Sequence, residues 1–270
     1  AGLLMLEDLG NTLYAPLCAR EPAREWPLYA AAADLLAERL SAPSARIGSG
    51  AAEMTLPPYD VETLLVEARL ATDWYLAGAR GHPPAPGAVE DYTGLLAGAL
   101  GHVAGARDAL VLRDYHAENL IWLGERAGHA RVGLLDYQDA RVGHPAYDLV
   151  SLLEDARRDT APELRRAVFE RFLAARPDLD AEDFAAAYAV LGAQRNLKIV
   201  GIFARLALRD AKPRYLALVP RVWEHLMRDL AHPALDPLRA WVLRHLPPPE
   251  PALLDRLAAR TGTGAVERAP

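Results

Sequence analysis

The stretch from Leu110 to Asp148, LVLRDYHAENLIWLGERAGHARVGLLDYQDARVGHPAYD, constrains the fold more than any other part of the chain. Leu110-Val111-Leu112 and Leu120-Ile121-Trp122-Leu123 are apolar runs of strand length. Gly124 to Ala130 reads as a turn, because Gly124 and Gly128 bracket charged residues. A second strand, Val132 to Leu135, ends on Asp136. The pattern predicts a β-hairpin with Asp114, Asn119 and Asp136 at its mouths, where three oxygen-bearing side chains can converge.

Such a cluster suits phosphoryl transfer, in which the protein must position a hydroxyl and neutralise charge on the moving phosphate. The Asp114-to-Asn119 spacing is that of the protein-kinase pattern H-R-D-x-x-x-x-N, which is followed there by D-F-G. On that logic Asp114 is the catalytic residue, accepting or orienting the proton of an acceptor hydroxyl. Asn119 and Asp136 would offer Mg²⁺ a neutral and an anionic oxygen. The competing reading is that Asp114 and Asn119 cap a turn and Asp136 ends a strand. On spacing alone that reading is the commoner one; flanking strands and a third carboxylate tip the balance.

Composition excludes several classes. The 270 residues can bury a sizeable core, and 51 % hydrophobic with 24 % charged residues is ordinary for a globular protein. A formal charge of −6 argues against a general nucleic-acid binder. The single cysteine, Cys18, has no partner for an internal disulfide, which favours a reducing compartment. No apolar run approaches the ~18 residues needed to span a bilayer, and no signal peptide opens the chain. The expectation is a cytoplasmic protein with no membrane and no nucleic-acid partner.

Along the chain, Leu3 to Gly10 reads as a buried strand ending in a turn. Helices are expected over Pro27–Leu40, Val61–Leu76 and Tyr92–Ala106, then over Pro145–Asp155, Pro162–Ala175, Ala181–Leu208, Tyr215–Leu230 and Leu235–Leu246. Ser41 to Pro58 is a connector; its Gly48-Ser49-Gly50 lacks the third glycine and preceding strand of a phosphate loop. Pro247-Pro248-Pro249 opens a tail expected to be loosely attached. The fold class is α+β, mostly helical, around a short β-hairpin.

LRDYHAENL, LLDYQDA and GHPAYDLVSLLEDARRD resemble the aminoglycoside phosphotransferase superfamily, small-molecule relatives of protein kinases. LEDLG, PPYDVETLLVEARLATDWYL and AQRNLKIVGIFARL are similar to the bacterial N-acetylmuramate/N-acetylglucosamine anomeric kinases of cell-wall sugar recycling. The resemblance implies the C-terminal lobe of a protein-kinase-like fold over residues 11–246, entered by a hinge strand at 1–10 and followed by a Pro-rich tail at 247–270. It implies ATP and Mg²⁺ as cofactors, Asp114 as catalytic base, and Asn119 and Asp136 as metal ligands. Backbone groups near Glu7, Asp8 and Leu9 would receive the adenine edge. His116 and Asp148 would brace the catalytic loop, and Asp139 would lie close by.

The family also has an N-terminal lobe with a strand lysine and a phosphate-covering loop. Lys198 and Lys212 are the only lysines, and no G-x-G-x-x-G precedes the catalytic stretch. The expectation is therefore a truncated chain, poorly active alone, with an apolar face left open at Leu3, Leu4 and Leu6.

For the acceptor, Gln194, Lys198, Gly201 and Arg205 recur at helical spacing as a polar stripe, with the glycine letting a sugar approach. Trp74, Tyr75 and Trp122 could stack on a sugar ring or belong to the core. Arg195, Lys198 and Arg205 favour a neutral or anionic sugar over an aminoglycoside polycation. A choline-type acceptor and a non-catalytic remnant stay open.

Overall fold

The computed structural model describes residues 7–38, 40, 46–47, 54–101, 103, 105–106 and 108–263. Leu3, Leu4, Leu6 and Gly48-Ser49-Gly50 lie outside the described residues. The chain is mostly helical, as its periodicity predicts: α1 (Tyr14–Arg20) and α2 (Glu25–Glu38) precede a two-residue ladder, β1 (Arg46–Ile47) with β2 (Met54–Thr55). There follow α3 (Val61–Ala68), α4 (Ala77–Arg80), α5 (Pro86–Leu100), β3 (Ala109–Val111), β4 (Leu120–Trp122), β5 (Val132–Leu134) and β6 (Arg141–Gly143). The C-terminal half is helical: α6 (Ala146–Leu153), α7 (Pro162–Ala174), α8 (Ala181–Leu208), α9 (Val219–Asp229), α10 (Asp236–His245) and α11 (Pro251–Ala259). None of the described helices is long and apolar enough to cross a membrane.

The four central strands form two nested antiparallel ladders. β4 pairs with β5, placing Leu120 opposite Leu134, and β3 pairs with β6, placing Val111 opposite Arg141. Nesting puts the β3–β4 loop, residues 112–119, beside the β5–β6 loop, residues 135–140. The hairpin matches the sequence reading. The outer ladder does not appear in it, because Arg141-Val142-Gly143 is too short and polar to read as a strand. Tertiary contacts hold it: Val142 exchanges backbone hydrogen bonds with Pro57 and Tyr59 at 3.0 and 2.8 Å.

α8 runs through the centre, capped at its start by the Asp180 carboxylate on the amides of Glu182 and Asp183. Small residues let its neighbours approach closely. The expected single helix Val61–Leu76 is interrupted where α8 crosses it, since Ala71–Leu76 is a π-helical turn and Leu70–Ala71 backbone lies directly over Gly201. The segment ends at Gly81, whose φ of 80° closes α4 in the left-handed conformation. α5 begins six residues earlier than periodicity predicts, because Pro86 at the first turn starts a helix and does not break it.

The tail differs most from expectation. α11 buries Leu253 and Leu257, Leu257 packs over Gly78, and Arg260 donates to the Gly78 carbonyl at 2.8 Å. The prolines end one helix and restart another, leaving apolar residues at helical spacing to dock.

Behind α8, the Asn196 amide donates to both Glu154 and Asp229, at 2.7 and 2.9 Å, and Tyr188 donates to Glu154 at 3.1 Å. Gly192 leaves room for the Asp229 carboxylate, which a β-carbon there would meet at 2.7 Å. Burial, and then the neighbouring Glu154, push Asp229 well above the usual carboxylate range. The folded chain therefore holds a proton that the unfolded chain releases above pH ~4, and this pair costs stability as pH rises. Asp229→Asn, which cannot titrate, is expected to gain stability relative to wild type between pH 5 and 8, by at most about 1.4 kcal/mol per pH unit. Thermal melts of both proteins across that range check it.

Candidate active site

Asp114 follows Arg113, which adopts φ 74°, a left-handed conformation costly for a side chain with a β-carbon. The buried Asp148 carboxylate holds that bend. Its two oxygens accept the Leu112 amide at 2.6 Å and the Arg113 amide at 2.9 Å. Burial pushes this carboxyl up to about 7, partly offset by those amides. Ser151 donates to the Arg113 carbonyl at 3.3 Å and receives Arg195 at 2.9 Å. Tyr115 anchors the loop to α2 by donating to the Ala32 carbonyl at 2.9 Å, and the Ala15 amide donates to the Ala117 carbonyl at 3.0 Å. The backbone around Asp114 is thus fixed from three sides while its side chain stays exposed.

Asn119 closes the loop. Its Nδ2 donates to the Asp114 carbonyl at 3.0 Å, and its own carbonyl accepts the Leu135 amide at 3.0 Å. The next residue, Asp136, has φ 56°, which aspartate tolerates better than most residues. Asp136 is exposed and accepts one hydrogen bond, from Gln138 at 2.6 Å. Asp114, Asn119 and Asp136 are linked by this short chain of bonds at one end of the nested ladders. Leu9 packs on Gly133 of β5, so the segment Glu7–Leu9 borders the same hairpin; Arg126 pairs with Glu7, and Asp8 turns back onto the Gly10 amide at 2.8 Å.

His116 is buried, and burial depresses its imidazole to about 4. Its Nε2 lies 3.2 Å from the Arg157 guanidinium, which can only donate, so this nitrogen accepts. Arg157 also pairs with Glu118 at 3.0 Å. On the other flank Arg113 and Lys198 share Glu67, with Lys198 at 2.9 Å; Tyr59 donates to Glu67 at 2.5 Å. Burial alone would raise Glu67, but Lys198, the Tyr59 hydroxyl and Arg113 hold its carboxyl below the usual range. Asp139 lies 3.8 Å from Arg113.

The structure divides the expected acceptor stripe. Lys198 lines a cavity beside Asp114, together with Arg113, Arg157 and Arg195. Gln194 is fully buried and donates to the Leu64 carbonyl at 2.8 Å, so it faces the interior. Gly201 admits the Leu70 backbone, not a sugar, and half-buried Arg205 does not reach the cavity. Trp74, Tyr75 and Trp122 are packing residues: Tyr75 donates to the Pro247 carbonyl at 2.8 Å, Trp122 meets Tyr14 edge-on, and Trp74 lies beneath Arg209. Glu67 and Arg157 escaped sequence reading because each looks like a solvated helix or loop charge. Only the Gln194-Arg195-Asn196 run inside an apolar helix signalled buried polar work.

The phosphotransferase enzyme family model matches residues 10–188, which include both loops. An N-acetylmuramate/N-acetylglucosamine kinase of Caulobacter vibrioides is 44 % identical over 250 residues, covering 92 % of this chain and 68 % of that protein. Proteins of the same name from Neisseria meningitidis and Pseudomonas aeruginosa are each 31 % identical, and the chain covers 66 % and 65 % of them. The chain thus spans about two thirds of the length of these curated relatives. A crystal structure of a choline/ethanolamine kinase family protein from Mesorhizobium loti shares the fold, with TM-score 0.51, 14 % identity, and coverage of 86 % of this chain and 70 % of that one. With two loops of one nested ladder pair presenting Asp114, Asn119 and Asp136 together, and the family model spanning them, the chain belongs to the phosphotransferase enzyme family.

Proposed function

We propose that the chain forms the acceptor- and metal-binding lobe of an ATP-dependent kinase that phosphorylates the anomeric hydroxyl of N-acetylmuramate and N-acetylglucosamine, in the cytoplasm, as part of cell-wall sugar recycling. The carrying observation is the bond from Asn119 to the Asp114 carbonyl, which ties the residue next to the acceptor to the residue next to the metal. Asp114 orients and receives the hydroxyl proton, and Asp148 with His116 braces its loop. Asn119 and Asp136 fit Mg²⁺. The Asn119 amide nitrogen is engaged, leaving its oxygen as the donor, and Asp136 presents an exposed carboxylate. Among the described residues no three acidic, histidine or cysteine side chains form a metal site alone, so nucleotide oxygens would complete the shell. Bound there, Mg²⁺ supplies charge neutralisation at the transferring phosphate. Backbone groups of Glu7, Asp8 and Leu9 border the nucleotide.

The cations lining the cavity, Arg113, Arg157, Arg195 and Lys198, disfavour an aminoglycoside or choline acceptor by like-charge repulsion. The full-length gene product, assayed for ATP consumption, is expected to turn over N-acetylmuramate and N-acetylglucosamine and to leave an aminoglycoside and choline untouched. The product should lose its reducing end. Asp136→Asn should lower kcat about a hundredfold or more. Turnover confined to the aminoglycoside or choline would overturn the reading.

A further inference from the structure

The cavity beside Asp114 has a volume of about 90 Å³. At roughly 30 Å³ per water it holds about three waters, enough for one small substituent but not a sugar ring. Its walls are mainly of two kinds. Ile199, Ile202 and Phe203 of α8 form an apolar floor, Arg113, Arg157, Arg195 and Lys198 line most of the rest, and Ala156 and the Asp114 carboxylate complete it.

The buried part of that wall is short of negative charge. Arg113 and Lys198, with side chains 19 % and 13 % exposed, share the single carboxylate of Glu67. Arg195 is 4 % exposed and, among the described residues, no carboxylate lies within ion-pair distance of it. Its partners are neutral: the Ser151 hydroxyl at 2.9 Å and the Glu154 carbonyl at 3.4 Å. Asp148 on α6, whose charge Arg195 feels, spends its two oxygens on the Leu112 and Arg113 amides. At the rim, Arg157 is half occupied by the exposed Glu118. Arg195 thus lacks a contact ion pair and feels Asp148 only through space, so an arriving anion would meet a guanidinium whose charge is only partly balanced.

The geometry points to an anion subsite in this cavity: Arg195 and Arg157, with Lys198, receive a carboxylate carried on a short aliphatic arm of the acceptor sugar. The ring then lies at the mouth, over Asp114, and the arm's apolar stem rests on Ile199, Ile202 and Phe203. This rests on the sugar-kinase reading and deepens it: the site is built for an acidic amino sugar and tolerates the neutral one. N-acetylmuramate carries such an arm, a lactyl ether, and N-acetylglucosamine lacks it.

The test compares three acceptors in the full-length gene product: N-acetylmuramate, its carboxamide, which keeps the size and removes the charge, and N-acetylglucosamine. Wild type is expected to show a kcat/KM for the acid about tenfold to a hundredfold above that for the carboxamide, the range for a charge-assisted pair. Arg157→Gln, at the most exposed of the four cations, is expected to bring that ratio near one, and Arg157→Lys to restore part of it. A structural role would lower both values together and leave the ratio unmoved. Equal use of acid and carboxamide by wild type, or a ratio unchanged in Arg157→Gln, overturns the subsite while leaving the sugar kinase standing. A folded protein that turns over none of the three overturns both. Were the basic wall to serve the transferred phosphate instead, Arg157→Gln would depress all three acceptors alike, which also counts against the subsite.

Discussion

Asp114→Asn is expected to lower kcat by about 10²- to 10⁴-fold, the range for removing a positioned general base. The melting temperature should stay within a degree or two of wild type. Fold and chemistry separate cleanly at this residue. Its side chain is exposed and makes no hydrogen bond among the described residues, whereas its carbonyl, unchanged by the substitution, accepts from Asn119 and from the His116 amide at 3.1 Å. The bend at Arg113 is held by Asp148, not by Asp114. Asparagine keeps the shape and removes the charge, so acceptor KM should move far less than kcat. Steady-state kinetics with a parallel melt decide it; a variant within threefold of wild-type kcat would exclude Asp114 as the base.

Gly201→Ala carries the largest expected effect on stability. A β-carbon at that position would stand 2.1 Å from the Leu70 carbonyl carbon, 2.4 Å from its oxygen and 2.5 Å from the Ala71 nitrogen. All three are backbone atoms, which cannot rotate aside, so α8 and the π-helical turn must separate. Overpacking of this kind costs about 3 kcal/mol or more, a loss of roughly 6–12 °C in a chain of this size. Gly94→Ala is the control, since nothing lies within 4 Å of its β-carbon position inside α5. There alanine should stabilise by about 0.5–1 kcal/mol. A Gly201→Ala protein that melts with wild type would mean that α8 does not cross the turn this closely. Since α8 also carries Arg195 and Lys198, the same displacement should disturb the cavity beside Asp114.

Most of the helical framework was legible in the sequence because apolar residues on α2, α6, α7, α8 and α10 recur at helical spacing. The inner hairpin was legible for a similar reason, with two apolar runs bounded by glycines. The outer ladder was not, since β6 is three residues long and owes its existence to Pro57–Tyr59 on one side and β3 on the other. Gly201 shows how a correct periodicity can mislead. The spacing predicts this helix and the glycine marks a close approach, yet the approaching group is the Leu70 backbone. One face of a helix in sequence does not say what covers it. In the same way Gln194 looked like the head of a polar stripe, while its neighbour Arg195 reaches the cavity. The loop motif was readable because Asp114 and Asn119 lie within one local turn. Glu67, which faces Arg113 from 46 residues away, was not.

Whether Asn119 and Asp136 hold a metal nucleotide against Asp114 is decided by a crystal structure of the full-length gene product. Crystals grown with Mn²⁺ and a non-hydrolysable ATP analogue would locate the metal by its anomalous scattering. The ion is expected within coordination distance of the Asn119 side-chain oxygen and an Asp136 oxygen, with the terminal phosphate between it and the Asp114 carboxylate. A metal nucleotide bound elsewhere, with Asp114 and Asp136 facing different ligands, would contradict it.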